Sequence, residues 1–292
     1  MKPKLTTRIL KYLLITSAVI AVAYGLIWIA LQGYSLSWTG FGDFTQPSDR
    51  FERGKTFWDW MELLIIPLAL AGGVFFLNRS EQNIEREIAT DRQQESALQS
   101  YLDRMADLLL KENLRTSDNE EVRNVARIRT LTVLRGLDST RKGLVLLFLH
   151  EANLLNKGKP IVSLAGANLS KADLLRANLS GADLSNVNLS EANLFASNLS
   201  EANLLHADLS GAKLCFVNLV NANLETANLE RTDLYHSNLI NANLHFAKLK
   251  DASFKYTNLE LVNLNETIIT KEQLARAFSL KGATMPDGTI HK

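Results

Sequence analysis

The sequence has one cysteine, Cys215, and five prolines in 292 residues. A single thiol excludes any intramolecular disulfide and any CxxC metal site. A reducing compartment suits it. Net charge is also missing: 32 Lys and Arg stand against 31 Asp and Glu. That balance removes the basic stripe that nucleic-acid binding wants, so no nucleic-acid partner is expected. There is no Walker A loop, GxGxxG, HExxH or Ser/His/Asp set. We therefore expect no enzyme, no catalytic residues, no cofactor and no metal site.

Mean hydropathy is −0.03, an average that hides a segregation of apolar residues. Residues 12–31, YLLITSAVIAVAYGLIWIAL, carry no charge. Twenty residues in a helix cover about 30 Å, the hydrocarbon thickness of a bilayer. A cleavable signal peptide is the alternative, but its apolar core usually runs about 7–15 residues. A second run, LLIIPLALAGGVFFL at residues 63–77, becomes a span of about 57–77 with its preceding aromatics. Trp58 and Trp60 suit an interfacial belt, which keeps Asp59 and Glu62 out of mid-bilayer. The alternative is a buried helix of a soluble domain. Lys2, Lys4, Arg8 and Lys11 precede the first span, and Arg79, Arg86 and Arg92 follow the second. The segment between the spans has balanced charges. Together these predict an integral membrane hairpin with both termini in the cytoplasm.

Apolar spacing then predicts three helices in a neck, over residues 80–111, 120–137 and 139–155. The inward stripes would be Ile84, Ile88, Leu98, Tyr101, Leu102, Met105, Leu108 and Leu109, then Val122, Val125, Ile128, Leu131 and Leu134, then Leu144, Leu147, Phe148 and Leu154. Arg123, Arg127, Arg129, Arg135, Arg141 and Lys142 make the neck locally basic. Two readings fit: a solvated helix face, or contact with anionic lipid headgroups.

From Leu164 a large apolar residue recurs every five positions to Leu264, 21 times, with Phe254 the only departure from Leu. Two residues earlier sits Ala, or less often Val, Ser or Thr; one earlier sits Asn or Asp in most units. Ala167-Asn168-Leu169-Ser170-Lys171 and Ala182-Asp183-Leu184-Ser185-Asn186 spell it out. A period of five fits neither 3.6 nor 2. It means stacked identical units, with Asn or Asp at each corner. Thr270 and Gln273 form a capping box ahead of a helix over 271–278, with Leu274 and Phe278 free to plug the last coil.

These residues resemble the pentapeptide-repeat family. The resemblance implies a right-handed quadrilateral β-helix with four pentapeptides per coil. The whole pattern also resembles cyanobacterial membrane-anchored members. The expected fold is thus mixed. Residues 1–78 form a two-helix transmembrane hairpin, and residues 79–160 a cytoplasmic helical neck. Residues 161–269 form an all-β right-handed quadrilateral β-helix of about five coils. Residues 270–292 form a short helical cap and tail. Plasma and thylakoid membranes are both open.

Four units per coil align every twentieth residue. One outward column reads Leu175-Arg176, Phe195-Ala196, Cys215-Phe216, Tyr235-His236, Lys255-Tyr256. Phe195, Cys215, Phe216, Tyr235, His236 and Tyr256 are the candidate interaction face. Ordinary stacking within a ladder, packing on the neck and packing on a second copy also explain it. The expected function is a non-catalytic scaffold or regulator with membrane lipids and a protein partner, self-association being open. One alternative, implied by soluble relatives, is a DNA mimic that acts on topoisomerases. It asks for a strongly negative rod, and between Leu164 and Leu264 ten acidic residues meet seven basic ones. The other alternative is a component of an oligomeric transporter.

Overall fold

A computed structural model describes residues 44–45, 51–52, 57–116, 119–155 and 160–292, with side chains described from residue 70 onward. The chain divides into two compact units, Met1–Glu87 and Ile88–Lys292. In the first, β1 (Phe44–Thr45) pairs antiparallel with β2 (Phe51–Glu52). Helix α1 (Phe57–Leu110) begins in this unit. Residues 80–111 do not start a helix of their own. Pro67, Gly72 and Gly73 interrupt nothing, and α1 runs through them as one 54-residue element. The expected first span, 12–31, lies outside the described residues. The expected second span, 57–77, falls on α1, yet among the described residues no helix is long and apolar enough to cross a membrane. Leu70, Val74, Phe75, Phe76 and Leu77 are 55–73% exposed.

The second unit holds the rest of α1, then α2 (Glu120–Gly136) and α3 (Ser139–Glu151). Leu98, Tyr101 and Met105 of α1 are buried at spacings of three and four. Tyr101 reaches the Thr130 hydroxyl at 3.0 Å, and burial pushes its phenol up to about 12. Its ring meets Phe148 edge-on at 6.2 Å. Asn119 caps α2 by accepting from Glu121 N, and Asp138 caps α3 by accepting from Arg141 N.

The expected stripes hold in part: Leu98, Tyr101, Met105, Leu134 and Leu154 are buried, and Leu102, Leu108, Leu109, Val122, Leu131 and Phe148 pack against the core. In α2, Ala126, Thr130 and Leu134 are buried, while Val125 and Ile128 are exposed. In α3, Lys142, Val145, Leu146 and Leu149 face inward, while Leu144 and Leu147 are exposed. Ile84 and Ile88 of α1 are exposed too. Polar anchors set which faces turn inward. Arg141 binds Asp91 at 2.7 Å, Glu95 at 3.1 Å and Asp138, fixing α3 against α1. Gly143 lies so close to the solenoid that a Cβ there would stand 2.3 Å from the Asp173 carbonyl oxygen.

In the middle coils the backbone N–H groups of a pentapeptide follow one repeating pattern of destinations. In the unit Ala192 to Ala196, Ala192 N donates back to Leu189 O at 3.1 Å, closing a turn. Asn193 N donates to Ala172 O in the preceding coil. Leu194 N and Ala196 N donate to Lys213 O and Cys215 O in the following one. Phe195 N is taken by the Asn193 side chain, so the corner residue builds the corner. Bridges join residues twenty apart, Asn168 to Asn188 through to Asn243 with Asn263. Four pentapeptides therefore make one coil. The corner amides also hydrogen-bond up the rod, as from Asn198 Nδ2 to Asn178 Oδ1 and Asn218 Nδ2 to Asn198 Oδ1.

The Leu centres fill the interior, and Phe254 is accommodated there fully buried. Buried Ser197, Thr232 and Ser237 replace Ala without loss, since each hydroxyl donates to the carbonyl three residues back. The second outward residue of nearly every unit is left-handed, with φ of 54° at Ala196 and 58° at Phe216.

Side chains close both ends by replacing absent backbone. At the first coil, Lys142 Nζ donates to Ser170 O at 2.8 Å and Arg127 to Ala165 O at 2.9 Å. Ser139 O takes the Asp173 N–H at 3.0 Å. Burial drives the Lys142 ammonium below its ordinary value. Half of the basic neck is thus committed to structure, through Arg127, Arg141 and Lys142, rather than to lipid or bare solvent.

At the other end the Thr270–Gln273 capping box forms as expected. The helix is shorter than predicted: α4 is Lys271–Leu274. Gln273 Nε2 donates to Leu249 O and Ala252 O, both at 2.9 Å. Leu274 is buried, but Phe278 is exposed and plugs nothing. The reason is that the coil resumes: Asn258 pairs with Ser279 and Asn263 with Thr284, a step of twenty-one. Thr284 then pairs antiparallel with Ile290.

Two outcomes follow. Leu204→Ala leaves a cavity in a closed coil and should cost about 3 kcal/mol in urea unfolding. Lys142→Met leaves the Ser170 carbonyl buried and unpaired, and should cost about 1–2 kcal/mol. In the second variant hydrogen exchange should rise first at residues 164–183.

Candidate functional site

The step of twenty brings the six candidate residues into one column and makes their rings touch. Phe195 lies 5.4 Å from Phe216, centroid to centroid. Phe216 stacks on His236 at 5.4 Å with planes 7° apart, and His236 on Tyr256 at 5.0 Å and 29°. Tyr235 stands edge-on to Phe216, His236 and Tyr256, at 5.7, 4.5 and 5.8 Å. The stacked rings of Phe216, His236 and Tyr256 sit at left-handed positions, and the edge-on ring of Tyr235 belongs to the residue before His236. Each such pair contributes about 0.5–1.5 kcal/mol when well packed.

The ladder stays accessible: Phe195 is 38%, Phe216 50% and Tyr256 47% exposed. Lys255 Nζ closes its far end, 5.2 Å from the Tyr256 centroid and 5.9 Å from that of Tyr235. Sequence spacing located the rings but not this cation, although Lys255 stands in the same column. It also overlooked Asp233, whose carboxylate takes the Cys215 thiol at 3.2 Å. Partial burial and the Asp233 carboxylate together push that thiol up to about 11.

The other histidines stand elsewhere. His206 Nδ1 contacts the Thr226 hydroxyl, and His245 lies 3.9 Å from Glu225 and 4.2 Å from the Phe246 ring. Among the described residues no group of three His, Cys, Asp or Glu could hold a metal ion.

Residues 162–194, 192–231 and 227–265 match the family model of pentapeptide repeats, in eight copies. The chain belongs to the pentapeptide-repeat family. Similar solved structures are themselves pentapeptide-repeat proteins. HetL of Nostoc sp. strain PCC 7120, involved in heterocyst differentiation regulation, is 34% identical, with a TM-score of 0.29. The match covers 44% of this chain and 62% of HetL, so this chain spans less than two thirds of that relative. Rfr23 of Cyanothece 51142 is 30% identical over 44% of this chain and 90% of its own, with a TM-score of 0.28. A protein of the Arabidopsis thaliana thylakoid lumen is 22% identical over 44% and 83%, with a TM-score of 0.26. No curated protein matches the sequence.

The Cys215 environment makes a chemical prediction. With a pKa of about 11, its thiolate fraction at pH 8 is about a hundredfold below that of an ordinary thiol, and alkylation by iodoacetamide should be slow in proportion. Asp233→Asn keeps the turn acceptor and removes the charge, so alkylation should accelerate.

Proposed function

We propose that this pentapeptide-repeat protein is a non-catalytic, membrane-anchored scaffold or regulator that holds a protein partner on its aromatic column. The observation that carries this reading is the unbroken run of half-exposed rings from Phe195 to Tyr256. Stacking alone does not require four large aromatic residues at outward positions, since the polar column beginning at Ser170 and Lys171 folds by the same backbone bonds. Rings held by a rigid β-ladder lose little freedom on binding, which favours them as anchors.

The anchor would be residues 1–78, with spans at about 12–31 and 57–77. Residues 79–160 would be the cytoplasmic neck, 161–269 the solenoid and 270–292 its cap and tail. Both termini and the solenoid would face the cytoplasm, on a plasma or thylakoid membrane. The uncharged run in the sequence supports this, as do the exposed Leu70, Val74, Phe75, Phe76 and Leu77 of α1. A helix apolar on all sides is stable in lipid and costly in water. A DNA-mimicking role fits the column less well. Its outward residues include Arg176 and Lys255 and no carboxylate.

Affinity purification from native membranes, followed by mass spectrometry, tests the face. A Phe195→Ser/Phe216→Ser/Tyr235→Ser variant should keep its β circular dichroism and lose the partner that the wild type retains. The same partners in both samples would sink the reading.

A further inference from the structure

The aromatic column does not end at the first coil. It runs into a groove of about 510 Å3 between α3 and the solenoid. The groove is lined by Leu144 and Leu147 of α3 and by Leu175, the first outward residue of the column. These three are 47–55% exposed, the same range as Phe216 and Tyr256. Six apolar side chains, Leu144, Leu147, Leu175, Phe195, Phe216 and Tyr256, thus form one strip, walled at one end by a helix.

We infer that this strip takes an amphipathic α-helix of a partner protein, with acidic residues towards both of its ends. The inference rests on the partner-face reading above and names the partner's class. The spacing decides between helix and strand. Coils are about 4.8 Å apart, the pairing distance of strands. A helix presents one apolar residue per turn of about 5.4 Å. Like-facing residues of an extended strand recur at about 6.6–6.8 Å. Over three coil steps a strand drifts by about 6 Å, and a helix by about 2 Å, which side-chain rotamers absorb. The four steps from Leu175 to Tyr256 make about 19 Å, the length of about 13 helical residues.

Charge sets the ends. The ten outward residues of the column include Arg176 near α3 and Lys255 at the far end, and none is acidic. Lys255 lies over two tyrosine rings, which holds its ammonium beside the strip. Arg176 also lines the groove, with Asp173, which accepts from Asn193 Nδ2, and Glu151 at the end of α3. Carboxylates near both ends of the incoming helix would meet them.

The test uses the full chain in lipid nanodiscs and a fluorescein-labelled probe peptide of about 16 residues, long enough to cover the strip. The probe carries leucine once per turn and glutamate pairs at both ends. Its controls are a scrambled peptide of the same composition and a lysine-ended version. By anisotropy the patterned, acidic-ended peptide should bind at least about tenfold tighter than the scrambled one. Leu147→Ser and Phe216→Ser, both at exposed positions, should each abolish that preference. Arg176→Glu/Lys255→Glu should exchange it, favouring the lysine-ended peptide, a result that misfolding does not produce. Equal binding of patterned and scrambled peptides overturns the inference. If the triple serine variant still loses its membrane partner, the face itself stands without a helical occupant. If that variant keeps its partners, the face fails and the inference falls with it. A dimer of this chain that Phe216→Ser dissolves would put a second copy on the strip, and also overturns it.

Discussion

A polypeptide that turns every five residues must find a partner for every amide it passes, and this requirement shapes the whole solenoid. In the unit from Ala192 to Ala196 one N–H closes the local turn, one goes back a coil, two go forward and one goes to the corner side chain. Such full accounting has a structural consequence. The coil cannot widen, narrow or slip by a residue without orphaning several groups at once. Interior size is therefore fixed, and it holds one Leu and one small residue per side. The Leu centres and the small residues before them are buried along the rod, with Phe254 taking one centre.

The same requirement governs the ends. A solenoid is an open sheet edge at both extremities, and its carbonyls and amides need covering. Here the covers are side chains acting as amides. The Lys142 ammonium and the Arg127 guanidinium serve the first coil. The Gln273 carboxamide serves the last complete one. Stability at the ends therefore depends on a few polar groups, whereas the middle rests on a repeated apolar core.

Much of this was legible in the sequence and some was not, for physical reasons. The period from Leu164 to Leu264 states the coil, because one residue type at one spacing admits one way of stacking. The capping box at Thr270 was legible for a similar reason, its two side chains being specific to a helix start. The helix lengths and faces were less so. Leu134 is buried as the pattern has it, but Val125 and Ile128 also looked inward and are exposed, while Ala126 and Thr130 are buried. Apolar pattern cannot anticipate that Arg141 reaches three carboxylates, or that Gly143 sits against the Asp173 carbonyl. All but the Asp138 contact pair residues far apart in the chain. Phe278 failed as a plug for a related reason: the coil restarts after α4, which periodicity ending at Leu264 does not announce. In the candidate site, the rings were readable from the step of twenty, while Lys255 over Tyr256 and Asp233 under Cys215 needed geometry.

The unbroken step of twenty also limits how this molecule can change in evolution. Gaining or losing one pentapeptide within the repeat would rotate everything downstream by a quarter turn, carrying Tyr235 and Tyr256 onto a different side from Phe195. Only whole coils can be duplicated or deleted while the faces stay aligned. Substitutions at outward positions disturb no backbone bond, so each of the four sides can diverge on its own. Lineages of this rod should therefore vary in surface chemistry readily, and in length by quanta of twenty.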